Sequence, residues 1–142
     1  MSELADVRVR DVMRKEFDLV DGMLTVKEAL LGMRYPDTRC LLVDKRHSDD
    51  EYGIVLIADI AKQVLAADRS AERVNLYEIM SKPVFSVPAE MNLKYCARLM
   101  QRFGLTLAPV IEAGKVSGVV SYHDLVMTGL MTLLKGSTSN RS

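Results

Sequence analysis

The chain has 142 residues, of which 49% are hydrophobic and 27% charged, an ordinary globular composition that excludes a disordered chain. This length buries enough surface to hold a core without disulfides or a metal. Lys plus Arg and Asp plus Glu number 19 each, so the net charge is zero and nucleic acid is not an expected partner, since phosphate binding wants a basic surplus.

The opening residues, Met1-Ser2-Glu3-Leu4-Ala5-Asp6, lack the basic and apolar regions of a signal peptide. No run approaches the ~20 apolar residues of a membrane span. A cytoplasmic protein with no membrane contact is therefore expected. A short helix or turn is predicted over Val9–Met13, then a strand over Phe17–Val20. The next helix opens on Thr25-Val26-Lys27-Glu28, a capping box, and is expected to stop at Tyr35, which precedes Pro36. Arg39–Val43 and Tyr52–Leu56 read as a hairpin around the charged loop Lys45–Glu51. A helix over Ala58–Ala67 follows.

The same order then returns. Asp11-Val12-Met13 recurs as Glu78-Ile79-Met80, an offset of 67. Val26, Ala29, Leu30 and Met33 recur as Leu93, Cys96, Ala97 and Met100, each set on one helical face. Arg39–Asp44 matches Leu107–Glu112 at an offset of 68, and Gly53-Ile54-Val55 matches Gly118-Val119-Val120 at 65. The second copy thus predicts a turn at Leu76–Met80, a strand at Val84–Val87 and a helix capped by Asn92 and stopped at Gly104. A hairpin of Leu107–Ile111 with Val116–Val120 follows, around Glu112-Ala113-Gly114-Lys115, then a last helix over Tyr122–Leu134. Residues 1–68 form the first repeat, 69–73 a linker, 74–135 the second repeat and 136–142 a flexible tail. The fold class is α+β: two tandem β-α-β-β-α repeats that hide their sheets against each other with pseudo-twofold symmetry.

The last helix carries apolar residues from Leu125 to Leu134 round nearly its whole circumference. It predicts a C2 homodimer through these helices, or a helix wedged between the repeats of one chain. Cys40 and Cys96 have no metal-ligand spacing and are expected as buried, reduced thiols. His47-Ser48-Asp49-Asp50-Glu51 lacks the ordered spacing of a calcium loop and reads as a solvated hairpin tip. Residues 1–71 hold 11 basic and 14 acidic groups and residues 72–142 hold 8 and 5, so the second half better tolerates an anionic ligand.

Taken twice and in order, Arg10-Asp11-Val12-Met13, Tyr77-Glu78-Ile79-Met80, Leu107-Ala108-Pro109-Val110 and above all Gly118-Val119-Val120-Ser121-Tyr122-His123-Asp124-Leu125 resemble a pair of cystathionine β-synthase (CBS) domains, a Bateman module, over about residues 7–134. The resemblance implies a stand-alone regulatory module. It would bind an adenosine-containing ligand (AMP, ADP, ATP or S-adenosylmethionine) in a cleft between the repeats, with no required cofactor. It also implies signalling to a client protein by a shift in conformation.

By the same resemblance, Asp124 would accept hydrogen bonds from the ribose hydroxyls and Ser121 would donate to phosphate. Val84, Leu107, Ala108 and Pro109 would wall the adenine, with amides near Lys82–Val84 reading the purine edge. His123, Lys82 and Arg102 are further candidates around the ligand. Ser121-x-x-Asp124 is equally a capping box, and spacing alone does not separate the two roles. The apolar residues are equally core. In the first repeat Gly53 and Asp59 are kept, but Leu56 stands where Ser or Thr should, so that site is expected to be degenerate, or to take a ligand without phosphate at that point, unless Arg39 supplies a phosphate contact. A ligand-free dimerisation or interaction scaffold is the alternative. An enzyme is not expected: the chain has two histidines, no phosphate-binding glycine spacing and no metal cluster.

Overall fold

A hydroxyl or amide side chain opens two of the longer helices. Thr25 Oγ1 accepts the Glu28 amide at 3.1 Å while Glu28 returns a carboxylate to the Thr25 amide at 2.9 Å. Asn92 accepts the Lys94 amide at 2.8 Å. These caps satisfy end amides that would otherwise lack partners. The computed structural model describes residues 7–140. Its elements are α1 (Val9–Val12), β1 (Leu19–Val20), α2 (Val26–Leu31), β2 (Cys40–Val43), β3 (Gly53–Leu56) and α3 (Ile57–Ile60), the last running into a π-helical turn, Ala61–Leu65. Then come α4 (Leu76–Ile79), α5 (Leu93–Arg102), β4 (Leu107–Glu112) and β5 (Lys115–Ser121). The final helix is α6 (Tyr122–Asp124), a π-helical stretch (Leu125–Leu130) and α7 (Met131–Asn140) in succession. No described helix is long and apolar enough to cross a membrane.

The chain divides into two units. One spans Glu16–Val84. Its sheet has the order β1-β2-β3, with β1 parallel to β2 and β2 antiparallel to β3. All four β2 residues are buried, as a continuous apolar run in a central strand requires. Its core joins Val26, Ala29, Leu41, Val55 and Val64 with Leu76 and Ile79 of α4. The other unit takes the described residues up to Lys15 together with those from Phe85 onward. Its β4–β5 hairpin turns at Ala113 and Gly114, both at positive φ (51° and 77°). Its core joins Leu93, Cys96, Met100, Ala108 and Val120 with Val9 and Val12 of α1.

The short opening helices are therefore exchanged. Helix α1 opens the first repeat in sequence but packs with the elements of the second, and α4, which opens the second, packs with those of the first. The bounds 1–68 and 74–135 are those expected from the sequence repeat; the packed units part at Lys15/Glu16 and Val84/Phe85. The stretch 69–73 is tied within the first unit, where Ala71 accepts the Lys27 amide at 2.9 Å.

Strand register corrects the repeat alignment. Val43 pairs with Gly53 and Val110 with Gly118, while Cys40 pairs with Leu56 and Leu107 with Ser121. Isolated bridges Thr25–Asn75 and Asn92–Arg8, and Ser81–Ile54 and Arg14–Val119, correspond likewise. The offset is 67 up to each hairpin and 65 beyond it, with no intermediate value of 68. Leu107 is thus the counterpart of Cys40, and Arg39 that of Thr106.

Three local expectations shift. Helix α2 ends at Leu31, ahead of Tyr35, because the buried Asp18 carboxylate accepts the Arg34 and Tyr35 amides at 2.9 Å each and holds them outside a helical ladder. The first strand of the second repeat is reduced to one parallel bridge, Val87–Val110. The tail drawn at 136–142 lies within α7 as far as Asn140, and residues 141–142 fall outside the described ones.

Candidate functional site

The site is built where β5 becomes α6. Ser121 is still extended (φ −124°, ψ 166°) and the next residue is helical, so its side chain faces the free amides of the first turn. Ser121 Oγ accepts the Asp124 amide at 3.2 Å and donates to Asp124 Oδ2 at 2.9 Å. The Ser121 amide donates to the same Oδ2 at 3.2 Å. The capping box is complete, and the Ser121 hydroxyl is engaged inside it.

The second carboxylate oxygen has a different partner. Arg14 Nε donates to Asp124 Oδ1 at 3.2 Å. The Asp124 side chain is 5% exposed and that of Arg14 40%. The backbone of Arg14 is fixed by reciprocal bonds with Val119, 2.8 and 2.9 Å long. Asp18, the other buried carboxylate among the described residues, is held by backbone amides. Asp124 instead depends at Oδ1 on a side chain that reaches in from solvent.

Leu107 stands opposite Ser121 in the β4–β5 register, and the Tyr122 amide donates to the Thr106 carbonyl at 3.2 Å. Leu107, Ala108 and Pro109 are all buried, with Ala108 in the core of their unit. His123 is exposed on the first turn of α6.

The remaining candidates lie in the other unit. Asp59 is half-buried and accepts the Leu56 amide at 3.1 Å, the equivalent half of a capping box without the hydroxyl. Arg39 is exposed at φ 62°, and its carbonyl accepts the Ile57 amide at 3.0 Å. The Val84 amide, offered above as a purine contact, donates to Tyr52 O at 3.2 Å. Lys82 Nζ lies 2.6 Å from Asp50 Oδ1. That hydrogen bond, with the Arg46 and Glu51 amides, holds the Asp50 carboxyl well below the usual carboxylate range. The structure thus brings Ser121, Asp124 and Leu107 together, while Arg39, Asp59, Lys82 and Val84 belong to the chain's other unit.

Sequence reasoning missed Arg14. Its signal was the residue after the matched methionines: Met13 is followed by Arg14, Met80 by Ser81. No group of three or more His, Cys, Asp or Glu able to hold a metal occurs among the described residues. Both cysteines are free and buried, and burial pushes each thiol up to about 11.

Two small sheets with exchanged opening helices and a Gly-led strand running into an Asp-bearing helix define a tandem CBS pair. The CBS domain family profile matches residues 76–129. The hexameric CBS-CP12 protein from bloom-forming cyanobacteria is similar at 32% identity and a TM-score of 0.81, covering 87% of this chain and 71% of that one. The CBS domain pair of protein MJ0100, in complex with 5′-methylthioadenosine and S-adenosyl-L-methionine, shares the fold at 22% identity and a TM-score of 0.71, over 92% of this chain and 98% of that one. An uncharacterized protein of Methanopyrus kandleri is 24% identical over 124 residues, 87% of this chain. The chain spans 63% of the length of that protein and 66% of a similar uncharacterized one from Methanocaldococcus jannaschii. The chain belongs to the CBS-domain family.

Proposed function

We propose that this chain is a regulatory, non-catalytic module that binds an adenosine-containing ligand, with Asp124 receiving the ribose hydroxyls. The observation that carries this is the state of Asp124. It is a buried carboxylate at a helix start whose Oδ1 is held by a partly exposed side chain. Such a carboxylate can exchange Arg14 for two vicinal hydroxyls without unmaking its cap through Oδ2. An ionised carboxylate is acceptor-only and suits that pair. The ligands in the MJ0100 complex, both adenosine derivatives, agree with the class. The first-repeat counterpart, Asp59, has Leu56 in place of the serine and keeps only the carboxylate half of the cap. Binding acts on a client protein only through different affinities for two arrangements of the module.

The test is calorimetry with AMP, ADP, ATP, S-adenosylmethionine and methylthioadenosine. At least one is expected to bind, and Asp124→Ala is expected to weaken it about 10-fold or more, from a charged hydrogen bond of ~1.5–3 kcal/mol. No heat from any of them at millimolar concentration sinks the proposal. Unchanged affinity in Asp124→Ala leaves Asp124 as a cap alone.

A second reading, self-association, is favoured by the last helix. Val126, Met127, Leu130 and Leu134 are 47%, 53%, 42% and 54% exposed, an apolar stripe that a homodimer would cover. The hexameric state of the CBS-CP12 protein is in keeping with assembly in this family.

A further inference from the structure

We infer that Arg14 sets which adenosine ligand the Asp124 site prefers, selecting for a 5′-phosphate against an uncharged or cationic 5′ group. The inference deepens the proposal above and rests on Asp124 receiving the ribose.

Three observations carry it. First, Arg14 engages Asp124 through Nε alone; among the described residues its two terminal nitrogens make no hydrogen bond, and the side chain is 40% exposed. A guanidinium with its outward fork free is the geometry that takes a phosphate with two parallel bonds. Second, the hydroxyl that could otherwise serve a phosphate, on Ser121, already donates to Asp124 Oδ2. Third, the backbone of Arg14 is locked to Val119 by two bonds, so only its side chain is free to move between carboxylate and ligand.

The 5′ substituent of a ribose lies about one ring width from its 2′ and 3′ hydroxyls. A ribose on Asp124 therefore displaces Arg14 and delivers its 5′ group to the same neighbourhood. A phosphate there re-pairs the guanidinium. A hydroxyl or thioether does not, and a sulfonium sets a second positive charge beside the first. The same argument separates the two repeats. Ser81 stands at the register position of Arg14, bridging Ile54 as Arg14 bridges Val119, so among the described residues Asp59 has no such cation. The exchange of opening helices is what brings Arg14, a first-repeat residue, to the second-repeat aspartate.

The test is calorimetry of the full chain with AMP, adenosine and S-adenosylmethionine, for wild type and for Arg14→Gln. In wild type, AMP is expected to bind about 10-fold or more tightly than adenosine or S-adenosylmethionine, the scale of a charge-assisted contact. In Arg14→Gln the AMP-to-adenosine ratio should fall towards one, through weaker AMP and equal or tighter adenosine. Arg14→Lys should keep part of the ratio. A ratio unmoved by Arg14→Gln, or a wild type that binds adenosine as well as AMP, overturns the role of Arg14 and leaves the adenosine proposal standing. Silence from all three ligands in wild type overturns the role of Arg14, and the adenosine proposal falls with it only if ADP, ATP and methylthioadenosine are silent too. Should Arg14→Gln not fold, salt decides: the wild-type ratio must shrink as ionic strength rises, and a salt-independent ratio overturns the inference.

Discussion

Gly118 lies directly beneath the carbonyl of Arg14. A Cβ on Gly118 would come within 2.7 Å of that oxygen and 2.7 Å of Met13 Sδ. The two segments most diagnostic in the sequence, the opening Arg10–Met13 and the strand Gly118–Ser121, are the two sides of one contact. Gly118→Ala must shift backbone, and overpacking of this kind costs about 1–3 kcal/mol. At Gly53 the nearest atom is Met80 Sδ at 2.7 Å, the end of a flexible side chain, with the next at 3.4 Å. Gly53→Ala should therefore be the milder change. Urea unfolding midpoints check the order, and equal losses would refute it.

The Asp50–Lys82 pair predicts an acid limb in stability. The Asp50 pKa is lowered in the folded chain, chiefly by the Lys82 side chain and then by the Arg46 and Glu51 amides. The folded state thus binds its proton less readily than the unfolded state. The stability gained is full above the unfolded carboxylate value of about 3.9 and is lost as pH falls below it towards the lower folded value. Lys82→Met should lower Tm at neutral pH and flatten the decline of Tm below about pH 4. A mutant whose decline parallels that of wild type would count against the pair.

Cys40 and Cys96 should be silent towards a thiol reagent at neutral pH. Burial raises both to about 11 and removes access as well as thiolate. In guanidinium both should react. Fast labelling of a native thiol would show that its segment opens.

The stripe Val126, Met127, Leu130 and Leu134 predicts that light scattering finds more than a monomer mass. Leu130→Glu, at a position already 42% exposed, should shift the mass to the monomer with little change in helix content by circular dichroism. A monomer mass in wild type would refute the self-association, and a mass unchanged by Leu130→Glu would assign it to another surface.

Much of the fold was legible because periodicity and caps act locally. Thr25-Glu28, Asn92, the Ala113-Gly114 turn and the helical faces of Val26 and Leu93 are each written within a few residues. The exchange of α1 and α4 was not legible, since nothing within Val9–Val12 says which copy its apolar face will meet. The 68 offset failed because Arg39 and Leu107 both precede apolar runs, and only strand pairing distinguishes them. At the site, Ser121 and Asp124 were visible as a spacing. Arg14 was not, because its partner is 110 residues away. The end of α2 escaped for a similar reason: Asp18, some 16 residues upstream, claims the amides that a longer helix would have used.

The exchanged opening helices bear on how the gene could have grown. Each opener completes the core of the other copy, so a copy with this packing lacks, on its own, the arm its core uses. Duplication into one polypeptide would then make the trade permanent. A piece cut at 16–84 accordingly carries a finished interior, whereas one cut at 1–68 holds an arm it cannot use and lacks the one it needs.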